Sequence, residues 1–338
     1  MAPSEPHPFL RPLLLGGGAL QLPDRILPGP MEGITAGSFV RVMTGAGLVS
    51  AWVTPFLRLS TDVPRTARLR EKLAAFQTPL PGTDQPPPLI VQIMGKDIPL
   101  LAAAAARLAG LGVAGVDLNC ACPSPAVVAN GAGGARLTDP AWVRDALLAL
   151  RRACPGIGIS VKLRTGRRDP AEMPAILAAV RAAQPDFIML HLRTVAEGYS
   201  TVAHGWERLA RAKELLPDRI LFGSGDIFTA ADALALHRQA GVDGVTPARG
   251  LLRNPWLIRD LRAACAGQAA PEPDRTEKNA FLHHLCANAR DAGDWRPGFI
   301  LELARNLFGV RSARFRRLTE AATPDAMLAV LDSPDRHA

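Results

Sequence analysis

No apolar run in this chain reaches the roughly 20 residues that a bilayer-spanning helix needs, which argues against a membrane protein. Cysteine is scarce. Five residues, an odd number, do not build a disulfide framework and fit a reducing compartment, here the cytoplasm. Nor do they build a metal centre: Cys120 and Cys122 stand two apart, and two ligands fall short of a zinc site. Cys154, Cys265 and Cys286 lie in helical patterns without ligand spacing and read as core residues. No Gly-x-Gly-x-x-Gly follows the first strand, which removes the main sign of an open dinucleotide-binding sheet. Residues 1–8 hold three prolines and no basic leader, so residues 1–22 read as a loose tail rather than a signal peptide. No internal repeat appears beyond the strand–helix alternation described next, and low complexity is confined to prolines 86–88.

What is present is a chain of 338 residues, 48% hydrophobic, long for one domain and natural for a large barrel with an appended module. The net charge of +8 favours a polyanionic partner. Apolar β-type runs fall at 26–27, 51–54, 89–94, 115–119, 159–164, 187–191, 220–224 and 244–248. Helical patterns follow most of them, at 100–111, 141–152, 171–183, 206–216 and 229–240, and Asn254-Pro255 opens one more. Eight alternating units predict a parallel sheet closed into a (β/α)₈ TIM barrel, an α/β fold, over residues 23–266. From 275 to 338 the alternation gives way to helical stretches at 276–292, 299–318 and 324–331, an appended α-helical domain rich in arginine.

Active sites of such barrels collect at the C-terminal strand ends. Those ends carry Pro30-Met31-Glu32-Gly33, Gln92, Asn119 with the loop to Cys122, Lys162 and Arg164, His191, Ser224-Gly225-Asp226, and Ala248-Arg249. Glycine-rich turns after strands seven and eight offer backbone N–H groups to a phosphate, and Arg249 adds a fork of donors. Gln92 and Lys162 suit the electron-rich edge of FMN. A phosphorylated metabolite without a flavin is the alternative occupant. Cys122 sits in a loop before Pro123 and beside a glycine-rich turn, where a catalytic thiol and a packed residue are both open readings; Cys120 reads as packing.

Taken together, Asp117-Leu118-Asn119-Cys120-Ala121-Cys122-Pro123-Ser124, Gln92-Ile93-Met94-Gly95, Val161-Lys162-Leu163-Arg164-Thr165-Gly166, His191-Leu192-Arg193-Thr194 and Ala248-Arg249-Gly250 resemble the tRNA-dihydrouridine synthases. The bacterial branch that acts at position 16 is the most similar. The resemblance implies an FMN-dependent barrel, NADPH (or NADH) as reductant, tRNA as partner, and a helical tRNA-binding domain over 275–338. It implies no membrane, no metal and no protein partner. Pro30, Met31, Glu32, Gln92, Lys162, His191, Ser224, Gly225, Asp226, Ala248 and Arg249 match its flavin positions, with Ser224 where Asn is common. Cys122 matches its catalytic cysteine, and Arg58, Asn119 and Arg164 match positions facing the RNA or target base. Arg305, Arg311, Arg314 and Arg317 would grip the RNA backbone. The family usually carries Lys where Pro125 stands, and Thr-Glu-Phe where Thr54-Pro55-Phe56 stands.

The implied reaction reduces the C5–C6 bond of a uracil, with hydride passing from the flavin to C6 and a proton from Cys122 to C5. Two rivals remain: a flavin barrel acting on a free pyrimidine, of the dihydroorotate dehydrogenase type, and a non-catalytic tRNA-binding protein. The basic helical tail argues against the first. The departures at Pro125 and Ser224 keep the second open.

Overall fold

The structure, a computed structural model, describes residues 5–18, 20–35 and 37–333. Ten strands are named in chain order. Strands β1 (Leu13–Leu15) and β2 (Leu20–Leu22) form an antiparallel hairpin. The others are β3 (Trp52–Val53), β4 (Leu57–Arg58), β5 (Leu89–Met94), β6 (Gly115–Asn119), β7 (Gly158–Arg164), β8 (Phe187–His191), β9 (Leu221–Ser224) and β10 (Gly244–Val245). Their order across one parallel sheet is β10-β9-β8-β7-β6-β5-β3, with β4 also pairing β5. The segment around Ile26 joins the far side: Ile26 pairs in parallel with Val245, and Leu27 N–H donates to Val245 O at 3.0 Å. The eight runs read from the sequence are therefore the eight staves of the curled sheet. Burial on both faces explains why β5 and β8 read as near-continuous apolar runs.

Helices return the chain between strands. Ala230–Ala240 starts at Thr229, whose hydroxyl accepts Asp232 N–H at 3.1 Å, and stops at Gly241 with φ of 63°. The expected second strand, 51–54, is β3, and an unanticipated short strand, β4, follows beyond Pro55, which has no N–H to give the ladder.

The tail expected over residues 1–22 is not loose where it is described. Leu13, Leu15 and Leu22 of the hairpin are buried, packed on Leu27, Val53, Ile90, Phe187 and Phe222. Gly16 N–H donates to Asp186 Oδ1 at 3.0 Å. The hairpin closes the barrel end opposite the C-terminal strand ends. Alternation in Leu13–Leu15 puts two leucines on one face, which an open apolar floor selects.

After Leu257–Cys265 the chain crosses to four helices: Arg275–Ala292, Pro297–Phe308, Ala313–Glu320 and Pro324–Asp332. The single stretch expected over 299–318 is two helices, broken at Gly309 with φ of 82°. Val310 is 61% exposed in that turn, whereas Leu303 and Leu307 are buried. This module sits against the first barrel helix, Gly37–Gly45: Phe39 and Phe299 meet edge to face at 5.7 Å, and Ser38 N–H donates to Asp294 Oδ2 at 2.9 Å.

One basic residue expected to grip RNA proves structural. Arg314 is buried and donates to the carbonyls of Val330 and Leu331, at the end of the last helix. Those carbonyls lack intrahelical donors, and a guanidinium supplies them. Arg317 is half-buried and donates to Ser333 Oγ at 2.7 Å. Arg305 and Arg311 are exposed.

Candidate active site

The C-terminal strand ends surround a cavity of ≈ 460 Å³, within the range of small-molecule sites. Pro30, Met31, Glu32, Gln92, Asn119, Cys122, Lys162, Arg164, His191, Ser224, Gly225, Asp226, Ala248 and Arg249 all line it. Arg58 does not; it lies exposed on β4. Arg305, Arg311, Arg314 and Arg317 belong to the helical module and are not in its wall.

At the base of the cavity is a buried polar relay. Asp117 on β6 accepts from Gln92 Nε2 and from Ser160 Oγ, each at 2.7 Å. Gln92 Oε1 accepts from Asn119 Nδ2 at 2.7 Å. Asn119 Oδ1 then accepts the backbone N–H groups of Ala121 and Cys122, both at 3.0 Å. Asn119 therefore shapes the loop that presents Cys122. Burial pushes Asp117 up to about 6, against the opposing hydrogen bonds of Ser160 and Gln92 and the charge of Lys162.

The two cysteines differ in setting. Cys122 is half-buried and lines the cavity. Cys120 is fully buried, and burial drives its thiol far above the ordinary range. Arg164 clamps the same loop from β7: Nε donates to Ala121 O at 2.8 Å, and Nη1 to Thr194 O at 2.9 Å and Gly198 O at 2.8 Å. Three of its donors thus serve the protein itself. Burial lowers its pKa.

Lys162 faces the cavity from β7, and burial followed by the charge of Arg164 lowers it to about 8. His191 is held well below its ordinary value by burial and then by the cations around it, Lys162 first. Its Nδ1 accepts Arg193 N–H at 3.2 Å, so the neutral ring carries its proton on Nε2. Asp226 adopts a left-handed φ of 53° and receives a two-bond fork from Arg193, at 2.7 and 3.1 Å. Arg249 Nη2 reaches the same carboxylate at 3.3 Å.

Several contributors escaped the sequence reading. Tyr199 lines the cavity with its ring 5.4 Å from the Arg164 guanidinium and 5.2 Å from that of Arg249. It is the one tyrosine in the chain, a signal that was available. Its loop is anchored by Glu197, which accepts Thr194 N–H at 2.7 Å and both Nη groups of Arg208. The Arg208 bonds hold Glu197 down to about 2. Thr246 also lines the cavity, and its hydroxyl is buried without a hydrogen-bond partner. Nothing in the sequence pointed to it.

Residues 27–317 match the family model described as dihydrouridine synthase. The chain is 32% identical to a probable tRNA-dihydrouridine synthase of Mycobacterium tuberculosis, over 80% of this chain and 68% of that one. It is 31% identical to the tRNA-dihydrouridine(16) synthase of Aquipseudomonas alcaligenes, over 79% of this chain and 84% of the relative. It is 33% identical to tRNA-dihydrouridine synthase B of Pseudomonas aeruginosa, over 79% and 78%. Among solved structures, histamine dehydrogenase from Rhizobium sp. 4-9 superposes with a TM-score of 0.58 at 13% identity, over 83% of this chain and 51% of that one. A 2-naphthoyl-CoA reductase gives the same TM-score at 11% identity, over 77% and 52%. The chain thus spans about half the length of these structures, and the likeness is one of fold. With a family model covering most of its length and relatives about 30% identical over most of theirs, the chain belongs to the dihydrouridine synthase family.

Proposed function

We propose that this protein reduces a uridine of tRNA to 5,6-dihydrouridine, with FMN bound at the barrel mouth and NADPH (or NADH) as reductant. The observation that carries the reading is the pairing of Cys122 and Lys162, a thiol from the loop after β6 and an ammonium from the adjacent strand β7, in one cavity. The cavity fits the cofactor chemically. Met31, Ile34 and Phe56 offer apolar wall to a ring; Gln92 and Lys162 offer polar contacts to its heteroatom edge; Arg249 offers a fork to a phosphate; Thr246 holds a buried hydroxyl without a partner. Bound there, FMN supplies the hydride.

The residues of the chain do the rest. Cys122 holds the proton destined for C5, on a loop pinned by Asn119 and Arg164. Lys162 places positive charge where the reaction accumulates negative charge. Tyr199 offers a ring face at the open side of the cavity, suited to a base swung out of its stack. Arg58, Arg305 and Arg311 are exposed cations available to the RNA backbone, and the helices from 275 onward are the platform that carries two of them. Position 16 of the D-loop is the target we favour, because relatives named for that position are among those matched. The place of action is the cytoplasm, where tRNA is.

The test is direct. Purified protein should be yellow and should form dihydrouridine at one position of unmodified tRNA, found by position-specific mapping. Cys122→Ala should retain flavin and accept electrons from NADPH yet lose turnover on tRNA, while Cys120→Ala stays active. Inactivity of Cys120→Ala beside an active Cys122→Ala would reverse the assignment of the acid.

A further inference from the structure

Beside the barrel mouth, the loops after β6 and β7 meet at a second, open cavity lined by Arg136, Arg167, Arg168, Thr138 and Glu172. Three guanidiniums converge there against one carboxylate. That carboxylate is committed to backbone: Glu172 Oε2 accepts Arg167 N–H at 2.6 Å, and Oε1 accepts those of Arg168 at 3.2 Å and Asp169 at 3.3 Å. The neighbouring acids are engaged as helix caps. Asp139 accepts Trp142 N–H at 3.0 Å, and Asp169 accepts Ala171 N–H at 2.8 Å. Among the described residues, none of the three guanidiniums has an ion-pair or hydrogen-bond partner, and Arg136 Nε is buried without one.

Arg136 is nonetheless held in place. Its guanidinium lies 5.0 Å over the Trp142 ring, and Trp142 is fixed by its own Nε1–H to Lys96 O at 3.1 Å. The loop that carries Arg136 is bonded to the active site, since Gly134 N–H donates to Cys122 O at 3.1 Å. The loop that carries Arg167 is bonded to the Tyr199 loop, since Ala196 N–H donates to Arg167 O at 2.9 Å. Three guanidiniums against one carboxylate leave net positive charge, and an anion between them relieves their mutual repulsion. Guanidinium forks match phosphate oxygens in geometry as well as charge.

We propose that Arg136, Arg167 and Arg168 form a phosphodiester-binding subsite for the RNA strand that flanks the target nucleotide. The proposal rests on the tRNA reading above and deepens it. A nucleotide swung into the mouth leaves its neighbouring phosphates at the rim, and this rim is tied by hydrogen bonds to both the Cys122 loop and the Tyr199 loop. Backbone contact here serves register: it sets how far the strand advances before a base can enter.

The experiment uses the full chain with its flavin and a substrate tRNA transcript. Arg167→Gln combined with Arg168→Gln should raise KM for tRNA about ten-fold at 0.1 M salt, and flatten the log–log salt dependence of binding by about one unit per arginine. The kcat at saturating tRNA, and NADPH oxidation with a non-RNA acceptor, should stay within about two-fold of wild type. Arg167→Lys with Arg168→Lys should restore the salt slope, since charge returns, but not the full affinity, since the fork is lost. Unchanged KM and slope in the Gln variant overturn the proposal, as does a fall in kcat at unchanged KM, which would make these loops mere supports for Cys122. Filter binding keeps the two claims separable: a wild type that binds tRNA without turning it over sinks the catalytic reading and leaves the slopes decisive. A wild type that binds no tRNA overturns both.

Discussion

Gln92 Nε2 lies 2.7 Å from Asp117 Oδ2, both side chains buried, and this one bond sets the direction of the whole relay beneath the cavity. An ionised carboxylate can only accept, so the amide nitrogen of Gln92 must face it. Gln92 Oε1 then faces Asn119 Nδ2, which turns Asn119 Oδ1 toward the N–H groups of Ala121 and Cys122. The backbone of Cys122 is thereby oriented from a residue that never touches it.

The cost of burying Asp117 should be measurable. Its native pKa, about 6, stands above the ordinary 3.8. Between those values the unfolded chain gives up the proton first, so stability falls as pH rises from about 4 to 6 and is flat above. The difference amounts to about 3 kcal/mol. Denaturant midpoints of wild type and Asp117→Asn across that window should diverge by a slope of this sign. Parallel curves would mean Asp117 titrates normally.

Lys162 sets a limb at the other end of the pH scale. Its head is charged below about 8 and loses its proton above. Turnover that uses this charge should therefore decline as pH rises through about 8. Lys162→Arg should move the decline upward, because a guanidinium holds its proton more tightly than an ammonium. A pH–rate profile for wild type and Lys162→Arg decides it, and coincident limbs would remove Lys162 from the reaction.

Thr246→Val should act with opposite signs on the empty and loaded protein. Removing a buried hydroxyl that has no partner should stabilise the flavin-free chain by about 1 kcal/mol. If the same hydroxyl meets the cofactor, the FMN dissociation constant should rise about five-fold, which is again about 1 kcal/mol. Thermal unfolding of flavin-free protein and fluorescence titration with FMN read the two effects separately. Unchanged flavin affinity would leave Thr246 as wall alone.

Much of the barrel was legible in the sequence because its strands are covered on both faces. Runs such as 187–190 must then be apolar. Most side chains proposed for the mouth were legible too, because the C-terminal ends of eight staves can point to only one place. The hairpin at Leu13–Leu22 was not, since five leucines in a proline-rich opening look like tail until a floor exists to receive them. Arg314 was misread for a related reason. An arginine near other arginines resembles a basic face, and only tertiary structure puts the carbonyls of Val330 and Leu331 beside it. The role of Asp117 is not legible in its motif, because its partner Gln92 stands 25 residues away on the neighbouring strand.

The bridge between Ile26 and Val245 has a consequence for how the chain assembles. The first stave has its pairing partner near the end of the barrel sequence, and the hairpin beneath reaches Asp186 across 170 residues. During synthesis, Ile26 therefore has no Val245 to pair with until almost the whole barrel has emerged, and the hairpin leucines meet Leu27, Val53 and Ile90 long before Phe187 and Phe222. Contacts of such long sequence separation make for slow folding and for partly built sheets with open edges. The edge of the sheet at Ile26 can be completed only when both ends of the barrel sequence are present.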